Sequence, residues 1–297
     1  MQPRADTLTR DEHGRSVLNL RRRLPHPARR VWAALTEAAL TARWMPAEVD
    51  LSPRAASPVR FRLPGTAPDG GEVLRAVPPW SLGYTWGAHE LHWSLRPDRA
   101  AGAADADTAP CVLGLRHVFD DHRGAASYAA GWHTCLTALA QVLDGEEPDH
   151  AGDADGALHE AYIGLLGLAG STVDEGPESL TIRLERQLVR PADEVWSLLT
   201  RGTPLRRGER APDGFGTVGT PAGEITELCA PRLLEYAWSP LGRTRWELLP
   251  GTDHGARLLL SHSCPPLPEP AVAAAQAAWH QRVEELAAQL LETPAPG

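Results

Sequence analysis

Leu24-Pro25-His26-Pro27-Ala28-Arg29-Arg30-Val31-Trp32-Ala33-Ala34-Leu35-Thr36 is written a second time, as Leu188-Val189-Arg190-Pro191-Ala192-Asp193-Glu194-Val195-Trp196-Ser197-Leu198-Leu199-Thr200, at an offset of 164, from 24 to 188. A self-similarity of this kind sets the architecture before any single motif is weighed. In each copy a proline at the first helical turn opens a short helix, and Val31, Trp32 and Leu35 fall on one face of the first.

Outward from that stretch the order of landmarks is kept. Gly71-Glu72-Val73 with Pro79, Tyr84 and Trp86 answers to Gly223-Glu224-Ile225 with Pro231, Tyr236 and Trp238, now at an offset of 152, from 71 to 223. Trp93-x-Leu95-x-Pro97 pairs with Trp246-x-Leu248-x-Pro250, Leu113-x-Leu115-x-His117 with Leu258-x-Leu260-x-His262, and Trp132-His133 with Trp279-His280. The fall from 164 to 152 removes 12 residues between the first helix and the Gly-Glu strand of the second copy, which also has a shorter loop where the first carries Arg99 to Thr108. The second copy is the reduced one.

Alternation and turn residues then predict one copy coarsely. A strand over Val17 to Leu24 and the helix are followed by a loop at Trp44-Met45-Pro46. Strands follow at Glu48 to Pro53, Pro58 to Leu63, Glu72 to Val77, Leu82 to Trp86, Leu91 to Arg96 and Val112 to Phe119. From Tyr128, Trp132, Cys135, Leu136, Leu139, Val142 and Leu143 recur at helical spacing, so a long last helix lays one apolar stripe on the sheet. The predicted division is a tail over 1–16, a first domain over 17–145, a linker with a short helix (Leu158 to Leu168, packed back on the first domain) over 146–178, and a second domain over 179–293. Thr293 to Gly297 reads as a frayed end.

Composition narrows function by exclusion. The chain has 297 residues, 42% of them apolar, enough for two buried cores, and a formal charge of −9. The one three-residue basic run, Arg21-Arg22-Arg23, lies in a strand, so no nucleic-acid footprint is expected. All 29 residues counted as Lys or Arg are Arg, which rules out imine chemistry through lysine. Cys111, Cys135, Cys229 and Cys264 are isolated, which with the absence of a signal pattern or a long apolar run points to free thiols in a cytoplasmic protein without a membrane anchor.

Gly71-Glu72-Val73-Leu74-Arg75-Ala76-Val77-Pro78-Pro79-Trp80-Ser81-Leu82-Gly83-Tyr84-Thr85-Trp86 resembles the G-x-V-x-x-V-x-P-P-x-x-L-x-Y-T-W stretch of AHSA1 (activator of Hsp90 ATPase homologue) domains, of the START/Bet v 1-like SRPBCC superfamily. Val31 to Thr36 is similar to that family's first helix and Gly131-Trp132 to its last; Trp80 departs from the pattern, standing where a basic residue is usual. The resemblance runs once through about residue 145 and again from about 178, and implies an α+β chain of two tandem helix-grip domains, each a curved antiparallel sheet wrapped around a long C-terminal helix. It implies a small hydrophobic ligand, aromatic or polyketide-like, in the first domain. Two alternatives stand beside it. One is an aromatase/cyclase-type enzyme working as a cavity-based cyclase or dehydratase without metal or covalent cofactor. The other is an Hsp90 co-chaperone-like interaction protein with a protein partner; His89-Glu90-Leu91-His92-Trp93 is not that co-chaperone's motif.

Strand alternation selects the candidate site. Leu91, Trp93 and Leu95 share a face, as do Tyr84 with Trp86 and Leu113, Leu115, His117 with Phe119. Trp44, Tyr84, Trp86, Trp93 and Trp132 are expected to meet an apolar ring system, His117 to stay neutral as its polar contact, and Arg60 and Arg62 to meet an acidic or phenolate group. Metal binding by His89 and His92 is not expected, because positions i and i+3 of a strand face opposite ways. His133 and His280 are expected at the cavity margin or in solvent.

Overall fold

The computed structural model describes residues 6–65, 67, 69–98, 108–149, 156–252 and 255–292. The loop Arg99 to Thr108 (apart from Thr108), much of the linker before Gly156, and the end from Thr293 lie outside them. The chain divides into two compact units, Met1–Ala154 and Asp155–Gly297.

The first unit is one antiparallel sheet closed by a helix. Its elements are β1 (Thr7–Arg10), β2 (Ser16–Leu24), α1 (Ala28–Thr36), α2 (Ala38–Thr41), β3 (Glu48–Leu51), β4 (Pro58–Arg62), β5 (Asp69–Val77), β6 (Ser81–Trp86), β7 (His89–Pro97), β8 (Cys111–Phe119) and α3 (Ala125–Asp144). Strand order is β1-β2-β8-β7-β6-β5-β4-β3. Inward residues of β7 (Leu91, Trp93, Leu95) and β8 (Leu113, Leu115) are buried while their neighbours are half-buried or exposed, as a sheet covered on one face requires, and from His117 to Phe119 β8 is buried throughout. α3 lays Trp132, Leu136, Leu139 and Leu143 on that face and ends at Gly145, whose φ of 83° is the left-handed cap that glycine adopts without strain.

The second unit holds α4 (Ala157–Leu166), β9 (Ser171–Glu175), β10 (Leu180–Gln187), α5 (Ala192–Thr200), β11 (Glu224–Cys229), β12 (Leu233–Ser239), β13 (Gly242–Pro250), β14 (Ala256–Cys264) and α6 (Glu269–Glu292), with strand order β11-β12-β13-β14-β10-β9. Eight strands become six: nothing answers to β3 and β4, and a 3-10 turn at Asp213–Phe215 stands in that stretch. This is where the falling offset put the deletion.

Two strands are additions to the sequence reading. β1 lies in the segment assigned to a tail and β9 in the segment assigned to the linker; they pair with β2 and β10, and their first residues are again 164 apart, 7 to 171. Their sequences, Thr-Leu-Thr-Arg and Ser-Thr-Val-Asp-Glu, are short, polar edge strands without apolar alternation. α4 groups with the second unit rather than the first: its Glu160 binds the guanidinium of Arg186, which Glu284 of α6 holds from the other side at 2.9 Å. Arg22, the residue equivalent to Arg186, is bound by Asp6 at 2.7 Å with both side chains almost fully buried. Each unit thus neutralises the same buried arginine with a carboxylate from outside the repeated core, as a charge removed from water demands.

Gly71 and Gly223 explain a shared oddity of the repeat. A Cβ on either would lie 1.8 Å from a carbonyl oxygen of the neighbouring strand, that of Thr85 or Ala237, so only glycine fits.

Candidate functional site

Five of the eight residues picked from sequence meet in the first interior. Trp44, Tyr84, Trp93, His117 and Trp132 are all buried. Trp93 takes Trp44 edge-on at 6.0 Å and Trp132 edge-on at 5.5 Å. The Trp44 indole donates to the Ala34 carbonyl at 2.9 Å, which ties the loop after α2 to α1. Trp86 is half-buried at the rim and stacks flat on Phe61, 4.2 Å between rings. Arg60 and Arg62 do not join this cluster. They flank the buried Phe61, so alternation turns them outward, where they pair with Asp50 and Glu48 at 3.5 Å.

His117 sits in a chain of hydrogen bonds whose direction can be fixed. The Trp132 indole can only donate, and it donates to His117 Nδ1 at 3.1 Å. Neutral His117 therefore carries its proton on Nε2 and donates to His89 Nδ1 at 2.8 Å. His89 in turn carries its proton on Nε2. That N–H makes no hydrogen bond among the described residues, on a half-buried ring flanked by Phe119 and Tyr128. Burial, with the Arg15 charge nearby, keeps both rings neutral: His117 is pushed down to about 3, and His89 is lowered as well.

His89 is the site residue the sequence reading passed over. The alternation that puts Leu91 and Trp93 inside extends back two residues to it. Among the described residues no group of three or more His, Cys, Asp or Glu is placed to hold a metal ion.

A second donor lies deeper. The Trp93 indole donates to the Tyr84 hydroxyl at 3.1 Å, which uses the oxygen as acceptor and leaves its O–H without an acceptor among the described residues. Tyr84 is 3% exposed, and burial raises its phenol well above the ordinary range, so the proton stays on. The half-buried Cys135 of α3 lies close enough to feel its charge, and burial pushes that thiol up to about 12.

The second unit has the same residues with the tyrosine, tryptophan and histidine ends closed differently, while the indole N–H of Trp279, the counterpart of Trp132, is buried without a partner among the described residues. Tyr236 and Trp246, equivalent to Tyr84 and Trp93, both donate to the backbone carbonyl of Phe215, at 2.7 and 3.1 Å. The Phe215 ring packs edge-on against Trp246 at 5.5 Å, as Trp44 does on Trp93. His262, equivalent to His117, bonds Thr244 Oγ1 at 2.9 Å through Nδ1, and Gly242 stands where the first unit has His89. Trp238, without a β4 phenylalanine to stack on, folds over Gly242 and lies flat on His262 at 5.0 Å. His262 is also held down, to about 4, by burial alone.

Cavities lined by described residues lie away from the aromatic cluster. Two, of about 660 and 590 Å³, open on the outer face of the first sheet, and one of about 590 Å³ lies beside Arg282 of α6.

Residues 25–144 match the family model of activator of Hsp90 ATPase homolog 1-like proteins. That segment is an AHSA1-like domain. The AHSA1-like match spans α1 through α3, which contains the buried cluster and the histidine pair. Among solved structures, the chain is similar to a conserved protein of unknown function from Enterococcus faecalis, at 19% identity and a TM-score of 0.44, covering 55% of this chain and 92% of that one. It is similar to a Bordetella parapertussis protein, at 26% and 0.40, covering 49% and 84%. It is also similar to DynU16 from the dynemicin biosynthetic locus, at 16% and 0.40, covering 93% of this chain and 97% of that one. No curated protein matches the chain. Among the described residues, no helix is long and apolar enough to cross a membrane.

Proposed function

We propose that the AHSA1-like unit binds a small, apolar, ring-bearing molecule that carries a carbonyl oxygen, with Tyr84 as the donor to that oxygen. The observation that carries the reading is the contrast at one pair of residues. In the second unit a backbone carbonyl, that of Phe215, receives both the tyrosine and the tryptophan proton; in the first unit the Tyr84 proton is unspent. A buried donor without an acceptor costs about 1 to 3 kcal/mol, so a ligand oxygen in the place that Phe215 fills in the other copy recovers that cost. Trp44, Trp93 and Trp132 supply flat apolar surface, and His89 Nε2–H a second donor toward the rim.

The fixed tautomers favour binding over acid–base catalysis. At neutral pH both His89 and Tyr84 present protons rather than lone pairs, so neither is set up to take a proton from a substrate. The cyclase reading would need the whole His89–His117 chain to invert. On this proposal the second unit has no counterpart of the Tyr84 donor, because the Phe215 carbonyl takes the Tyr236 proton.

Prodan, a neutral naphthyl ketone whose emission moves to the blue in apolar surroundings, tests the proposal. It should bind the wild-type chain with a blue shift, and Tyr84→Phe should weaken binding about 3- to 10-fold, the worth of one hydrogen bond, without lowering the melting temperature. Equal affinity in Tyr84→Phe, or equal loss in Tyr236→Phe, would overturn it.

A further inference from the structure

The outer face of the first sheet carries a charge arrangement that the interior site does not use. Register puts Arg21, Gly114, Ser94 and Ser81 in one row across β2, β8, β7 and β6, and Asn19, Arg116, His92, Gly83 and Arg75 in the next. Ser94 and Gly114 are the centre of a shallow floor. Gly114 keeps it open, since a Cβ there would lie 2.7 Å from Ser94 Oγ. Arg21 and Arg96 line the cavity of about 660 Å³ over that floor, and Arg75, Arg96 and the half-buried Trp80 line the adjoining one of about 590 Å³. Both volumes fall in the range of small-molecule sites.

None of the guanidiniums of Arg21, Arg75, Arg96 and Arg116 is in an ion pair with any described residue. The one carboxylate lining the floor, Asp98, is paired with Arg23 at 3.5 Å, and its side chain is only 13% exposed. In a chain of net charge −9, four unpaired arginines on one face stand out.

The second unit is an internal control for chance. Its equivalents of Arg21, Arg75, Gly83 and Ser94 are Glu185, Glu227, Glu235 and Glu247. Every one is engaged: Glu185 by Arg257 at 3.4 Å, and Glu227, Glu235 and Glu247 by Arg245. Trp80 is replaced there by Arg232. The same sheet face is thus self-neutralised in one copy; in the other those four positions carry no carboxylate, Asp98 and Glu90 of that face are already paired, and an aromatic side chain is supplied.

We infer that this outer face of the first unit is a second small-molecule site, for a ligand that joins an aromatic ring to an oxyanion, carboxylate or phosphate. The oxyanion lies over Ser94 and Gly114 between Arg21 and Arg96, where arginine forks match its geometry, and the ring lies against Trp80. The site is independent of the interior one, which favours a neutral ligand.

The test is calorimetric titration of the full chain with 2-naphthoate, 2-naphthyl phosphate and the neutral 2-naphthamide at low and at physiological salt. At least one of the two anions should bind, more tightly at low salt, and at least tenfold more tightly than the amide. Arg21→Gln with Arg96→Gln should lower that affinity tenfold or more and leave prodan binding unchanged, whereas Arg183→Gln, a paired arginine of the second unit, should change neither. Arg75→Gln alone should produce a smaller loss of the same sign and serves if the double variant does not fold. Binding of the amide as tight as that of the anions, no anion binding, or an unchanged affinity in the arginine variants would overturn the inference.

Discussion

His117 and His262 stay neutral because water is excluded from them, and that has a consequence for acid stability. The unfolded chain titrates an ordinary histidine near 6.5, whereas the folded one holds His117 at about 3 and His262 at about 4. Above 6.5 both states are neutral and nothing is lost. As pH falls from 6.5 toward 4, the unfolded state binds two protons that the folded state refuses, so stability declines, by up to about 1.4 kcal/mol per pH unit for each ring. Urea midpoints measured between pH 7.5 and 4.5 should fall progressively, and His117→Gln should remove part of that slope. A slope unchanged by His117→Gln would show that the ring is solvated and the relay broken. The inward position of His117 and its neutral state were legible from alternation alone. Its partners were not, because which of Trp132, Thr244 or Trp238 reaches a histidine depends on rotamers and on what the neighbouring strand leaves room for.

At the scale of elements, the loss of β3 and β4 from the second copy has a traceable effect. Without Phe61's counterpart, Trp238 turns onto His262, and the Phe215 turn fills the space over Trp246. The deletion itself was readable from the drop in offset, but its structural meaning was not, since a 3-10 turn supplying a carbonyl leaves no periodic signature. The edge strands β1 and β9 escaped the sequence reading for a related reason. Edges are kept short and polar, which removes the alternation that marks a strand. The last helices were plain from their apolar stripe, and α3 carries the heavier duty. Trp132 packs on Trp93 and donates to His117, so Trp132→Ala should cost about 3 to 5 kcal/mol in chemical denaturation. A loss under about 1 kcal/mol would mean that α3 does not grip the sheet through that side chain.

At the scale of the whole molecule, duplication has left two units with one plan and different uses of it. The first leaves a buried phenol proton unspent inside and arginines unpaired outside; the second closes both with its own carbonyl and its own glutamates. All four cysteines are free thiols; Cys111 and Cys264 are buried, Cys135 is half-buried, and burial pushes all three thiols up. Mass spectrometry after mild alkylation at pH 7.5 should therefore find one label, on the exposed Cys229, against four after unfolding. Rapid labelling of Cys135 would mean that the interior of the first unit opens freely to water.

In the proposed interior site, Tyr84 gives its proton to a ligand oxygen. The isotope-edited infrared stretch of the carbonyl of bound prodan reads that bond directly. A stretch displaced to lower frequency than in an apolar solvent, and returned by Tyr84→Phe, is the result expected. A carbonyl at its apolar-solvent frequency in the wild-type complex, or one displaced equally in Tyr84→Phe, would contradict it.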